Sequence, residues 1–168
     1  MSSNRRHRVA LGTLAVLTAC AGRFTNGEYS NGEVRYHVGQ LPASWQRLAL
    51  QGNDLAFFSS NSGHSIAVNA TCKDTDDPPL DVLTRHLLMG FTERTTLEQQ
   101  TVSFDARAGL RSHVTARLDG VPVELMLLVM KKNGCVYDFT YLSPPGHLDD
   151  QRAAFDGLLA SFHTETSP

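Results

Sequence analysis

Short runs of alternating apolar and polar residues recur along the chain, and this pattern is typical of β-strands with one buried face. VRYHV, DLAFFSS and HSIAVNATC are three such runs in the first half of the sequence. SNSG, a turn sequence, separates the last two runs. The pattern therefore predicts that this half of the chain forms a β-meander.

Two turn motifs in the second half predict three longer strands and their register. RLDGVPV and KKNGCVY place Asp-Gly and Asn-Gly between alternating runs, the strongest short-range indication of a two-residue type I′ hairpin. With such turns, Leu118 faces Val121 and Lys132 faces Cys135. The middle strand is apolar on both faces, so we expect it to be central in the sheet and covered on both sides.

Counting back from these turns sorts the side chains of the three strands onto two faces. Methionine and tyrosine adapt to irregular surfaces, so the face that carries them is a candidate contact for a partner or an apolar ligand. The alternative is that this face is core, packed beneath the last helix. The candidate interaction face consists of Met126, Met130, Tyr137 and Tyr141.

Two segments have apolar residues at helical spacing. LDVLTRHLLMGF follows Pro78-Pro79 and predicts a helix at about 79–91. After SPPG, an apolar stripe predicts an amphipathic closing helix near the end of the chain. That stripe consists of Leu148, Phe155, Leu158, Leu159 and Phe162.

Composition indicates one soluble globular domain. The chain has 168 residues, of which 41% are hydrophobic and 19% charged, and its formal net charge is -2. Binding to nucleic-acid phosphates requires clustered lysine and arginine, whereas 15 basic residues are here spread among 17 acidic ones. We therefore expect no nucleic-acid partner.

The one basic cluster is typical of the start of an export signal. Arg5, Arg6 and Arg8 precede VALGTLAVLTA, an uncharged stretch of 11 residues that is too short to span a bilayer as a helix. The run ends in LTAC, which resembles the lipobox of bacterial lipoproteins. The resemblance implies that the leader is removed before Cys20 and that Cys20 carries acyl chains, which anchor it stably in a membrane. The alternative is that Cys20 is an ordinary cysteine in a plain secretory signal.

The lipobox also predicts where the protein is located, and the sequence as a whole predicts a domain organisation. Ala21 is not the Asp that retains many lipoproteins in the inner membrane, so we expect anchoring in the outer membrane of a two-membrane bacterium, facing the periplasm. We expect a signal peptide at 1–19, a lipidated Cys20 with a flexible tether at 20–33, a single α+β domain at 34–163 and a disordered tail at 164–168.

Cys72 and Cys135 remain once Cys20 is assigned to lipid, and an even number of cysteines in an oxidising compartment favours a disulfide. Cys72 shares the apolar phase of its strand with Val68, and Cys135 shares that of Tyr137. Both sulfurs are therefore expected to point inward and to bond to each other. The alternative is two buried free thiols.

No motif of metal binding or catalysis stands out. The seven histidines include no HxxxH or HExxH pair, and the acidic run Asp74, Asp76 and Asp77 lacks the Gly and Glu of a calcium loop. Neither GxSxG nor SxxK is present. We expect no metal, no cofactor and no enzyme activity.

The order of predicted elements is similar to that of the Mog1/PsbP-like family, which includes bacterial lipoproteins related to DcrB. The resemblance spans about residues 34–163 and rests on that order and on LPASW, DGVPV and FDGLLASF. It implies an α+β fold: an antiparallel β-sheet meander with one helix inserted mid-chain and one C-terminal helix packing on the sheet. It also implies a non-enzymatic accessory, assembly or envelope role, while the cysteine pair departs from the family in general.

Three hypotheses on function follow. The first is a membrane-anchored envelope lipoprotein whose domain binds a protein partner. The second is a small-ligand or metal-binding module, for which a closed pocket lined by Met and Tyr, or three converging oxygen or His ligands, would be diagnostic. The third, a hydrolase, requires a Ser or Cys within hydrogen-bond reach of a His in a cleft.

Overall fold

The computed structural model describes residues 22–72 and 77–164. The predicted leader and the predicted lipidation site Cys20 lie outside these described residues, as do Asp74, Asp76 and positions 165–168. In chain order the elements are β1 (Arg23–Thr25), β2 (Glu28–Ser30), β3 (Arg35–His37), β4 (Gln46–Leu48), β5 (Leu55–Ser59), β6 (His64–Thr71), α1 (Leu80–Leu87), β7 (Phe91–Phe104), β8 (Arg107–Leu118), β9 (Val121–Lys132), β10 (Cys135–Ser143), a 3-10 turn (Leu148–Asp150), α2 (Arg152–Ala160) and β11 (His163–Thr164).

The main sheet has seven strands in the order β4-β5-β6-β10-β9-β8-β7, and each pair of neighbours is antiparallel. The predicted hairpin registers are confirmed, because Leu118 pairs with Val121 and Lys132 pairs with Cys135. At the first turn, Asp119 has φ of 51° and the glycine after it 80°. Positive φ at both central positions is the requirement of a type I′ turn.

Both faces of the central strand β9 are covered, as predicted. On one face, Val123, Leu125 and Leu127 pack with Leu88 from the end of α1. On the other face, the side chains of β9 lie in a larger core with α2 and a second, four-stranded sheet of order β1-β2-β3-β11. The α+β prediction, with one helix inserted mid-chain and one packed on the sheet at its C-terminal end, is confirmed.

The predicted apolar stripe of the closing helix lies in this larger core. Phe155 and Leu158 are at most 1% exposed, and Phe162 contacts three other aromatic rings of the main sheet. The stripe begins earlier than α2, because Leu148 belongs to the preceding 3-10 turn. The prediction of an amphipathic closing element is therefore confirmed, although the α-helix itself begins at Arg152.

The prediction of a flexible tether at 20–33 is wrong for residues 23–30. This stretch forms the β1–β2 hairpin, whose turn residues Asn26 and Gly27 have φ of 52° and 83°. Tyr29 of β2 is buried in the larger core. The Asn-Gly pair that suggested a linker is a third type I′ turn, so the folded body begins by Arg23 rather than near Val34.

The predicted tail at 164–168 also begins too early. Thr164 belongs to β11, pairs with Tyr36 of β3, and donates its N–H to Asp105 Oδ2 at 3.1 Å.

The segment after α1 differs from the prediction as well. The helix ends at Leu87 rather than near 91, and Phe91–Phe104 forms the long edge strand β7, which the sequence pattern did not predict. The side chains of β7 are mostly exposed, so it lacks the alternation that marks a half-buried strand. Its conformation comes from pairing along β8, with bulges between Thr92 and Thr95 and between Thr96 and Glu98.

The predicted disulfide between Cys72 and Cys135 is confirmed, with the two Cα atoms 4.2 Å apart. Thr71 pairs with Val136, so the two cysteines occupy the next opposed positions at the end of the β6–β10 ladder. Cys135 is buried and Cys72 half-buried against the larger core. Both sulfurs therefore lie on the predicted inward face.

We expect the double variant Cys72→Ala/Cys135→Ala to lose about 4 kcal/mol in free energy of unfolding, because the bridge restricts the unfolded chain over a long loop. The sequence separation is 63 residues. Urea unfolding followed by fluorescence measures the loss. Reduction should shift the midpoint of the wild type and leave that of the variant unchanged. Equal midpoints for the variant and the oxidised wild type would show that the bridge contributes nothing.

Candidate functional site

A cleft of about 620 Å³ lies between α1 and the end of the main sheet that carries the disulfide. Helix α1 contributes Leu83 and Leu87 to one wall, and the sheet contributes Val129 and Val136 to the other. These side chains give each wall an apolar part. The polar and charged residues that line the cleft are Thr71, Asp77, His86, Arg107, Lys131, Lys132, Asn133 and Asp138.

Asp138 is the least exposed ionisable group of the cleft, with 8% of its surface accessible. Burial raises its pKa to about 6, the hydrogen bond from Asn69 opposes this rise, and the nearby charge of Asp54 adds to it. Asn69 Nδ2 donates to Asp138 Oδ1 at 3.0 Å. This carboxyl group therefore gains its proton near pH 6, well above the ordinary range for aspartate.

A chain of hydrogen bonds leads from Asp138 through Asn69 to Asp54. Asn69 Oδ1 accepts the backbone N–H of Asp54 at 3.1 Å, and Asp54 Oδ2 accepts the N–H of Ala70 at 2.9 Å. Tyr29 donates its hydroxyl to Asp54 Oδ1 at 2.6 Å. Because Tyr29 belongs to β2, this network joins the small sheet to the main sheet.

The tyrosines of this network stay protonated over the physiological range. Burial and the hydrogen bond to Asp54 raise the pKa of Tyr29 to about 12. Burial raises the pKa of Tyr36 further, with Asp54 adding to the rise, and its hydroxyl donates to Asp54 Oδ2 at 3.4 Å. Both hydroxyl groups therefore act as donors to the Asp54 carboxylate.

Two lysines of the cleft are held in ion pairs. Lys131 pairs with Asp77, and Lys132 pairs with Asp105 at 2.7 Å. Burial raises the pKa of Asp105, but hydrogen bonds from Lys132 and Thr164 outweigh it and the net pKa is lowered. These ion pairs offset the charges of both lysines, and Arg107 and His86 line the cleft as well. A site of this kind suits a ligand that has both an apolar part and polar groups.

The candidate interaction face is not exposed. Met126, Met130, Tyr137 and Tyr141 are each at most 5% exposed and belong to the larger core. Tyr141 donates its hydroxyl to the backbone oxygen of Leu148 at 2.8 Å. The prediction of a contact face is wrong and its alternative, a core beneath the closing helix, is correct. The reason is that α2 and the small sheet both cover this side of the main sheet.

The sequence also suggested a ligand pocket lined by Met and Tyr, a metal site and a hydrolase. The cleft is lined by neither Met nor Tyr. Within residues 22–72 and 77–164, no group of three His, Cys, Asp or Glu side chains is placed to hold a metal ion. His64 is buried, bonds through Nε2 to the backbone oxygen of His147 at 2.9 Å, and stacks on Tyr141.

None of the helices in the described part of the chain has the length and apolar character needed to cross a bilayer.

Asp138 and Asn69 were not predicted as members of a site. A signal was available, because Asp138 is a charged residue inside the otherwise apolar run CVYDFTYL. A charge inside such a strand requires a buried partner or a solvent-filled cleft. The sequence did not identify the partner of Asp138, since Asn69 lies on another strand, β6.

We expect the pH dependence of stability to contain a contribution from Asp138. Its pKa is raised on folding, so the folded state binds this proton more tightly and the stability it contributes is lost as the pH rises from about 4 to about 6. Relative to the wild type, Asp138→Asn should gain roughly 2 to 3 kcal/mol between pH 4 and pH 7. Urea unfolding at a series of pH values measures the difference.

The matched control is Asp81→Asn, because the hydrogen bond from Arg85 lowers the pKa of this exposed carboxyl group. Its relative stability should stay nearly constant over the same interval, since the contribution of Asp81 is already present above the unfolded pKa of about 4 and is lost only at lower pH. A pH-independent difference between Asp138→Asn and the wild type would refute the raised pKa.

Three solved structures share the arrangement described above. Cyanobacterial PsbP (CyanoP) from Synechocystis superposes with a TM-score of 0.57 at 15% identity, covering 92% of this chain and 99% of its own. LpqN of Mycobacterium tuberculosis, a protein involved in cell envelope biogenesis, has a TM-score of 0.55 at 11% identity, with 78% and 83% covered. The Ran-binding protein Mog1p of Saccharomyces cerevisiae has a TM-score of 0.52 at 13% identity, with 79% and 90% covered.

No family model matches the chain, and no curated protein matches it in sequence. Identities between 11% and 15% establish the fold and nothing beyond it. The two helices, the seven-stranded sheet and the end-to-end coverage of CyanoP agree with the expectation drawn from element order. The chain has a Mog1/PsbP-like fold.

Proposed function

We propose that the protein is a lipid-anchored accessory domain of the bacterial cell envelope. Acylated Cys20 holds it to a membrane, the outer membrane in a two-membrane host. The domain faces the periplasm and binds another envelope protein without catalysing a reaction.

The disulfide between Cys72 and Cys135 is the observation that carries the proposal. Disulfides persist in oxidising compartments and are rare in the cytosol of most bacteria, so the bridge favours export. The chain has three cysteines, and the bridge uses two of them. Cys20 is left over at the position where the LTAC motif calls for a lipidated thiol.

The fold gives weaker support to a non-enzymatic role. LpqN is described as involved in cell envelope biogenesis, and Mog1p as a Ran-binding protein. Within the described residues, no serine hydroxyl or thiol is hydrogen-bonded to a histidine ring. Both lysines of the cleft are held in ion pairs, Lys131 with Asp77 and Lys132 with Asp105.

Protein binding is supported by the apolar side chains exposed where β8 turns into β9. Val121 is 61% exposed and faces Leu118 across the turn, and Leu118 in turn pairs with Phe91 of β7. Met89, 71% exposed, lies two residues before Phe91. Exposed apolar residues gathered at one place are typical of interaction surfaces.

We expect Cys20→Ser to abolish metabolic labelling with palmitate and to move the protein from the membrane fraction to the soluble fraction, because the acylated thiol is the proposed anchor. The measurement is labelling and fractionation of cells that express the full chain. Cys72→Ala/Cys135→Ala is the matched control, since it also removes cysteine thiols but should keep both label and membrane association. A Cys20→Ser protein that still incorporates palmitate would disprove the anchor.

For the partner, we expect a photo-crosslinking amino acid at Val121 to give a discrete protein adduct in cells. The same amino acid at Leu97, which is 55% exposed on the edge strand β7, should give none. Both positions are exposed, so a difference in yield reports proximity to a partner rather than accessibility. Absence of an adduct at 121, or equal adducts at both positions, would contradict binding through this surface.

A further inference from the structure

The chain enters the fold at one end of the main sheet, and the contacts of β1 show which end. A Cβ at position 22 would overlap the hydroxyl of Tyr29, and this hydroxyl binds Asp54, the residue directly before β5. Two residues later, the ring of Phe24 packs on that of Phe57, further along β5, with centroids 6.1 Å apart. From residue 22 onward, β1 therefore runs in the direction of β5, away from the Asp54 end of the sheet.

Little chain separates this end from the proposed anchor. Cys20 precedes Gly22 by two residues, and β1 begins at Arg23. Each residue of an extended chain spans at most about 3.6 Å, so two residues span at most about 7 Å. A lipidated Cys20 consequently holds the Asp54 end of the domain at the headgroup layer, because no tether is available to lift it away.

The surface at this end has the chemistry of a lipid contact. Leu48 pairs with Ala56, so the loop that follows it extends past the start of β5 at the Asp54 end. In this loop Leu50 is 53% exposed, and Leu48 is 38% exposed. An apolar side chain held at the headgroup boundary gains free energy by burial among acyl chains.

Two arginines also lie at the Asp54 end of the domain, one at the start of β1 and one in β4. Arg23 and Arg47 are both exposed, and the guanidinium of Arg47 lies 5.1 Å from the centre of the Phe24 ring. Guanidinium groups bind phosphate in a bidentate manner, which matches the phosphate of a phospholipid headgroup.

We infer that the Asp54 end of the domain is a membrane-contact surface, in which Leu50 enters the interface of the phospholipid layer and Arg23 and Arg47 bind headgroup phosphates. The inference rests on the proposed anchoring at Cys20. It gives the domain a fixed orientation: the β8–β9 turn, at the opposite end of strands that are 12 residues long, faces away from the lipid. Strands of this length span roughly 40 Å.

The test compares Leu50→Trp with Val121→Trp in the acylated protein, purified from membranes of expressing cells and reconstituted into vesicles that contain brominated phospholipids. The two sites are similarly exposed, at 53% and 61%, and lie at opposite ends of the sheet. The native Trp45 is buried, and its background is common to both variants. We expect the emission of the tryptophan introduced in Leu50→Trp to fall at least twofold and to shift to the blue, and the emission of the one introduced in Val121→Trp to stay unchanged.

A second pair of variants tests the arginines. Adding Arg23→Gln and Arg47→Gln to Leu50→Trp should weaken the quenching, whereas adding Arg85→Gln, on the exposed side of α1, should not. Vesicle flotation is recorded for every sample. Flotation with equal quenching at positions 50 and 121 overturns the contact surface alone. Failure to float, together with absence of palmitate, overturns the anchoring and the surface with it.

Discussion

The burial of β9 on both faces is the constraint on which the rest of the structure depends. Six consecutive residues, Leu125 to Met130, are almost inaccessible to solvent, so neither face of the sheet can be left open. Helix α1 covers one face, while α2 and the small sheet cover the other. The methionines and tyrosines that suggested a contact surface are buried beneath this second layer.

The polar network around Asp54 is a consequence of building the second layer partly from a small sheet. Strands β2 and β3 bring Tyr29 and Tyr36 over the edge of the main sheet, where their buried hydroxyl groups need acceptors. Asp54 accepts hydrogen bonds from both hydroxyl groups, and Asn69 extends the hydrogen-bond network to Asp138 at the cleft. The raised pKa of Asp138 is therefore tied to the contact that joins the two sheets.

Local turn chemistry and apolar periodicity predicted the centre of this fold, because both act within one hairpin. Asp119-Gly120 and Asn133-Gly134 determined the register of three strands, and the phase of Cys72 and Cys135 predicted their bridge. The failures were non-local. Strand β7 exists through pairing with β8, and only residues near its two ends pack on the cores. The hairpin at Asn26 resembled a linker because its buried residue, Tyr29, packs against distant elements.

The cleft could not be predicted from the sequence, because its contacts are non-local as well. Its lining comes from α1 and from strands far apart in the chain, and it lies at the end of the sheet that holds the disulfide and Asp54. The bridge fastens β6 to β10 at that end of the sheet. With the anchor and the contact surface we infer, the cleft lies on the lipid side of the domain, while the exposed side chains around Val121 lie on the side available to proteins.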